Sequence, residues 1–369
     1  MTKPIGRAMS GFLIRKAFHK TLSQVCHVRV VPPTQARDLV ASVYAQAERD
    51  HGVLSPLVAV HSAAPEVLAA CWVMLRETLI ADGHLDRVTK EAVATAVSIQ
   101  NACQYCVEAH LSTLDSLNEH RDAAAPDDVA TAAADHTIRA ITEWARAGGT
   151  WRTAPVPAEQ LPELVATVLT VQYLNRMATL FLPRSAVPAG IPDAGRAATL
   201  RLYGRFLVGA AARPHTPGVA LRLLPAAPVP ADLGWAKGSP NVTGALARAF
   251  AAVDAAGARS VPKPVRALLD RELGRWNGSG PDPDPDEIDL STVEERDRPA
   301  ARLALRTALA PHEVDRGTVE EFRRGRRGDR ALLELTAWAS LAAARRIAGR
   351  LAAEPPRGAD VLPFRRRPR

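Results

Sequence analysis

The stretch "LDRVTKEAVATAVSIQNACQYCVEAH", residues 85–110, carries one helix into the start of another. Its first part repeats alanine and valine at spacings of three and four, the period of an amphipathic helix, until Asn101 breaks the rhythm. The second part opens a further helix, "CQYCVEAHLSTLDSL". On it Cys103 and Cys106 share a face, and His110 lies one turn beyond Cys106 on the same side. Two sulfurs and an imidazole can therefore meet in one pocket. A helix start also offers unpaired N–H groups and the positive end of the dipole, which favour thiolate over thiol.

The same period extends in both directions. "TQARDLVASVYAQAERD" (34–50) reads as a helix with Thr34 as N-cap, and "APEVLAACWVMLRETLIADG" (64–83) as one opened by Pro65 and closed near Gly83. "DDVATAAADHTIRAITEWARAGG" (127–149) and "PAEQLPELVATVLTVQYLNRMATLFL" (157–182) complete a six-helix unit. Alanine, leucine, arginine and glutamate recur while strand-like alternation is scarce, so the expected fold is all-α.

Five segments follow from composition. Residues 1–33 form an N-terminal arm, 34–183 the helical unit with the cysteine pair, 184–242 a proline-rich irregular connector, 243–353 a second helical unit, and 354–369 a basic tail. The acidic, proline-punctuated stretch 278–298 reads as an exposed loop. Placing Glu163 against Glu334 also aligns Leu161 with Leu332, Leu164 with Leu335 and Ala166 with Ala337. That register suggests two tandem, diverged helical repeats.

The chain has 369 residues, of which 47% are hydrophobic, enough for a substantial core. The net charge of +8 is spread along segments that also carry acids, apart from "RRGRRGDR" (323–330) and "PFRRRPR". These read as a solvated face and a tail, not as a nucleic-acid surface. Four cysteines are too few for a disulfide-stapled secreted scaffold, and Arg15 and Lys16 interrupt any signal-peptide core. No stretch has the length to span a membrane, so a cytoplasmic location is expected.

Several chemistries fit a CxxC pair. A c-type haem needs histidine directly after the second cysteine, where Val107 stands. A structural zinc needs four ligands; Glu91 could complete Cys103, Cys106 and His110, yet no second CxxC or HxxxH motif follows. Two buried thiols are the bland alternative. Glu91 would by spacing lie on the surface, although a crossing of the two helices could bring its carboxylate to His110. Elsewhere, Cys71 and the tryptophans 144, 151 and 338 read as packing, His61 as packing or a helix end, and His84 and His120 as surface residues. Cys26 with His27 has no partner at useful spacing.

Glu91, eleven residues, Cys103, two residues, Cys106, three residues, His110 resembles the signature of the alkylhydroperoxidase D and carboxymuconolactone decarboxylase superfamily. The resemblance spans roughly residues 40–183 and implies the all-α fold of alkylhydroperoxidase D. It implies a peroxidase in which Cys106 attacks a small hydroperoxide, Cys103 resolves the sulfenic acid to a disulfide, and Glu91 and His110 relay protons. A dithiol reductant, of lipoyl or thioredoxin-like type, would restore the thiols by exchange. The implied protein is a homo-oligomer without cofactor or metal. The family's best-known members carry histidine immediately before the second cysteine; here Tyr105, a poor proton acceptor, stands there as an accessory residue. No cysteine follows Cys106, so the second half would be catalytically empty. Two other functions fit the sequence: a decarboxylating lyase of the same superfamily, whose members generally lack the pair, and a non-enzymatic thiol redox sensor.

Overall fold

The computed structural model describes residues 21–124, 139–144, 153–188, 190–276, 283–325 and 327–353, and every regular element among them is helical. The helix expected over 127–149 lies mostly outside these residues, as does the basic tail. The principal helices are α1 (Asp38–Asp50), α2 (Pro65–Leu75), α3 (Arg87–Gln100), α4 (Gln104–Ala124), α5 (Leu161–Phe181) and α6 (Asp193–Ala211). They are followed by α7 (Pro240–Ser260), α8 (Lys263–Arg275), α9 (Arg298–Leu309), α10 (Arg316–Arg324) and α11 (Asp329–Ala352).

Helix α5 explains the architecture. Nearly all of its residues are buried, so it runs through the middle of the molecule with neighbours on every side. It packs on α3 from the first half and on α11 from the second, and α2 packs on α7 in the same way. One continuous apolar cluster therefore runs from Leu22 to Leu351. Gly257 makes the α7–α11 approach possible, because a side chain there would collide with the Trp338 ring.

Glu163 and Glu334, aligned in sequence, do the same structural work. Both sit in the first two turns of a central helix, and both are buried. Glu163 accepts hydrogen bonds from the backbone N–H of His84 and Leu85 (2.9 and 3.0 Å), in the corner after α2. Glu334 accepts from Arg259 (2.8 Å) and Ser260, at the end of α7. An all-α fold built from two tandem helical halves accounts for this pairing.

Three expectations are corrected. The connector contains the 19-residue helix α6, because the prolines crowd on either side of "AGRAATLRLYGRFLVGAA" and leave it uninterrupted. Helix α1 begins at Asp38, after a short 3-10 turn at Pro33–Gln35, so Thr34 is not its N-cap. Three of the "RRGRRGDR" arginines are paired, not merely solvated: Arg323 with Asp329 (2.6 Å), Arg327 with Asp297 (3.1 Å), and Arg330 with Glu334 (2.9 Å). Arg323 also donates to the His27 carbonyl, and Asp329 accepts from the Arg29 N–H (2.8 Å), so this knot holds the N-terminal segment.

Buried ion pairs tie the remaining proline-rich chain down. Arg76 donates to Asp50 (2.8 Å), to Glu77 (2.7 Å) and to the Thr216 carbonyl (3.1 Å). Glu77 accepts from the N–H groups of Gly218 and Ala220 (2.7 and 2.8 Å). Burying these charges is tolerable only because each has several partners. At the other end, Glu108 of α4 accepts from Ser185, the Ala186 N–H and Arg196 (2.7, 2.9 and 2.9 Å), fixing the entry to α6.

Candidate active site

The link between α3 and α4 sets the geometry of the cysteines. Asp86 caps α3 by accepting from the Thr89 N–H (2.7 Å). At the other end the Ala102 N–H bonds the Ile99 carbonyl (3.1 Å) and the Cys103 N–H the Ser98 carbonyl (3.0 Å). That is a Schellman stop, with Ala102 in the left-handed region at φ 51°. The chain turns there so tightly that Cys103, which ends one helix, directly precedes the next, and its carbonyl accepts from the Val107 N–H (2.9 Å).

The structure brings Cys103 and Cys106 together, their sulfurs 2.6 Å apart and sharing a hydrogen bond. Both thiols are free and both are buried, so Cys103 is not the exposed member that helix-start position alone suggests. They sit in a small apolar nest with Ala178 and Leu182, against Val25, Leu57 and Tyr105. The hydrogen bond from Cys106 draws the Cys103 thiol below the usual range, against burial and with help from the Cys106 N–H. Burial pushes the Cys106 thiol well up. The negative charge of a singly deprotonated pair therefore rests on Cys103.

Glu91 and His110 also meet. Glu91 is 1% exposed, which overturns the surface position its spacing suggested. Its Oε2 lies 2.8 Å from His110 Nδ1, and its Oε1 accepts from Arg87 Nε and Nη2 (2.9 and 2.7 Å). Burial alone would raise this carboxyl, but the Arg87 guanidinium and His110 outweigh it and hold the pKa at about 2. Glu91 is thus an anion at neutral pH that accepts from His110 Nδ1–H, leaving the second ring nitrogen, Nε2, outside that hydrogen bond.

Cys106 and the Glu91–His110 pair open on one narrow cavity of about 40 Å³, also lined by Tyr105, Tyr203 and His51, among others. Cys103 is not part of this lining. Tyr105 shares this lining with Ser55, and burial keeps its phenol protonated. Three of the named residues went unrecognised in the sequence. Arg87 was legible as the i−4 partner of Glu91, whereas His51 and Tyr203 reach the site only through the packing of α1 and α6.

The other candidates lie elsewhere. His61 is buried, stacked on Tyr173 with ring centroids 5.8 Å apart, and bonded to its hydroxyl (2.9 Å). Cys71 is buried and its thiol pushed up by desolvation; Cys26, His84 and His120 are exposed. Trp144 and Trp338 are buried in packing, and Trp151 lies outside the described residues. Among the described residues no cluster of three or more His, Cys, Asp or Glu side chains is arranged to hold a metal ion. No helix among them is long and apolar enough to cross a membrane.

The chain is similar to known proteins over most of its length. The sequence profile described as carboxymuconolactone decarboxylase family matches residues 65–147, which contain all four signature positions. An alkyl hydroperoxide reductase, Rv2159c of Mycobacterium tuberculosis, is 34% identical over 328 residues, covering 88% of this chain and 94% of that protein. The similarity therefore extends through both helical halves and is not confined to the cysteine hairpin. The chain belongs to the alkylhydroperoxidase D and carboxymuconolactone decarboxylase family.

Proposed function

We propose that this protein is a peroxidase-type oxidoreductase that reduces small hydroperoxides through a Cys103–Cys106 dithiol and disulfide cycle. One observation carries the reading: Cys106, its sulfur 2.6 Å from that of Cys103, and a buried Glu91–His110 pair at 2.8 Å border the same cavity. The similarity to an alkyl hydroperoxide reductase over nearly its whole length supports it.

In the proposed cycle His110 Nε2 takes the first proton from the thiol pair, and Glu91 stabilises the resulting imidazolium. The remaining proton shifts across the short sulfur–sulfur contact, giving the thiolate to Cys106, the cysteine that faces the cavity. Cys106 attacks the terminal peroxide oxygen: an S–O bond forms, the O–O bond breaks, and the departing alkoxide takes the proton held by His110. Cys103 then attacks the Cys106 sulfenic acid, releasing water and closing the disulfide. Thiol exchange with an external dithiol returns both cysteines to the reduced state. Dithiol and hydroperoxide become disulfide, alcohol and water, with no net proton change.

Stopped-flow mixing of the reduced protein with hydrogen peroxide or an organic hydroperoxide, followed by mass spectrometry, tests this directly. A Cys103–Cys106 bridge is expected, with peroxide consumption abolished in Cys103→Ser and Cys106→Ser. Glu91→Gln is expected to slow it by on the order of 10²-fold while leaving the fold intact. Undiminished consumption by the double cysteine variant would overturn the reading.

A further inference from the structure

We propose that the external dithiol enters at Cys103, beneath a strap formed by residues 22–31, and that the arginine knot of the cysteine-free half holds this strap shut. This rests on the dithiol and disulfide cycle proposed above. Peroxide and reductant differ in size, and the cavity separates them. At about 40 Å³ it is a few times the roughly 10–15 Å³ that one water requires, room for a peroxide group but not for a dithiol chain. Cys106 borders this cavity and Cys103 does not. The reductant therefore needs a second way in, and Cys103 is the sulfur left for it to attack.

Three partly buried side chains pack against the cysteine nest: Val25, Leu57 and Tyr105. Leu57 and Tyr105 also line the cavity, whereas Val25 does not, so Val25 shields the pair away from the cavity. Cys103 is left 4% exposed. Val25 belongs to an irregular stretch, residues 25–32, between two short 3-10 turns at Leu22–Gln24 and Pro33–Gln35. Its hold on the molecule is a set of single contacts, the kind that opens locally before the core does. The Cys26 N–H bonds the Phe181 carbonyl at the end of α5 (2.7 Å), and the Val31 N–H bonds Ser62 Oγ (2.9 Å). Between them Arg323 donates to the His27 carbonyl, and Asp329 accepts from the Arg29 N–H (2.8 Å).

The strap is strained where the knot grips it. The Val28 N–H bonds the Cys26 carbonyl (2.8 Å) across His27, whose φ is 65°, a γ-turn of the hand that is rare for a residue with a side chain. Such a conformation persists only where its surroundings impose it. Here Arg323 holds the His27 carbonyl, and the Phe181 ring meets the imidazole edge-on, with centroids 6.4 Å apart. Releasing the knot relaxes the turn and lifts Val25 from Cys103. In the proposed exchange one thiolate of the dithiol attacks the Cys103 sulfur: a mixed S–S bond forms, the Cys103–Cys106 bond breaks, and Cys106 leaves as a thiolate. The second thiol of the reductant then closes its own disulfide and releases Cys103. The dithiol is oxidised, the cysteine pair is reduced, and the two protons the dithiol loses are regained by Cys103 and Cys106.

For the test the full chain is oxidised with diamide, so that the result does not depend on peroxide turnover. Reduction by dithiothreitol is timed in the parent, in Arg323→Ala and in Val25→Ala. Maleimide labelling of the buried Cys71 in parallel oxidised samples gauges any general opening of the fold. Both variants are expected to be reduced at least fivefold faster, with Cys71 labelling within twofold of the parent. Mercaptoethanol, quenched with acid and followed by mass spectrometry, is expected to leave its adduct on Cys103. Reduction within twofold of the parent in either folded variant overturns the proposal, as does an adduct on Cys106 or a rise in Cys71 labelling that matches the rise in reduction. A disulfide that forms with diamide but not with hydrogen peroxide removes the peroxidase reading, while the reduction rates still decide the strap.

Discussion

Two single residues carry costs that the rest of the molecule sustains. Ala102 holds a left-handed conformation that a side chain disfavours by about 1–2 kcal/mol, in the corner that delivers Cys103 to the start of α4. Ala102→Gly is expected to raise the unfolding free energy, read by urea titration, by up to roughly 1 kcal/mol, since glycine adopts this geometry freely but loses more entropy on folding. His61 is buried, and desolvation lowers its pKa from 6.5 to about 4, so the folded protein keeps it neutral. Its contribution is fully present above pH 6.5 and is lost as the pH falls towards 4, because the unfolded chain binds the proton first. Unfolding titrations at pH 7 and pH 4.5 should show that loss, and His61→Gln should reduce it by about 2 kcal/mol. Glu91 acts with the same sign at lower pH, its contribution disappearing only as the pH approaches its folded value of about 2.

Among the elements, α6 matters most to the site although the composition around it reads as a connector. It is anchored at its start by Arg196 to Glu108 (2.9 Å) and near its middle by the contact of Gly204 with α4. Gly204→Ala has no way to relieve its collision with a backbone carbonyl except by moving one helix. A loss of about 1–3 kcal/mol in stability is expected, with slower disulfide formation as the α6 wall of the cavity shifts away from α4. A melting curve and a peroxide-oxidation trace on the same preparation check both. Unchanged values would mean that α4 and α6 sit farther apart than the contact implies.

Across the whole molecule, the cysteine-free half serves the cysteine-bearing half through shared packing. Helix α5 positions α3 by clamping the corner at His84 and Leu85, and α5 in turn is covered by α11. A chain ending at residue 183 would expose the α5 face that α11 covers. At about 25 cal/mol per Å² of apolar surface, that loss is large against the few kcal/mol by which domains are stable. Such a truncated chain is expected to lack a cooperative thermal transition by circular dichroism. Glu163→Gln and Glu334→Gln are each expected to destabilise the full chain, but only the former, which supports α3, should also slow peroxide oxidation.

Local sequence determined the helical character and the cysteine hairpin, because helix period, stop signals and the CxxC spacing all act within a few turns of chain. It also placed Cys103, Cys106 and His110 on one helix face, a consequence of 3.6 residues per turn. Only the tertiary structure decided that Glu91 is buried against His110, that Cys106 and not Cys103 faces the cavity, and that Tyr203 joins them. Each of these depends on how helices distant in sequence cross. That angle and spacing are set by side-chain packing at contacts such as Gly204 on Ser112, which local periodicity does not encode.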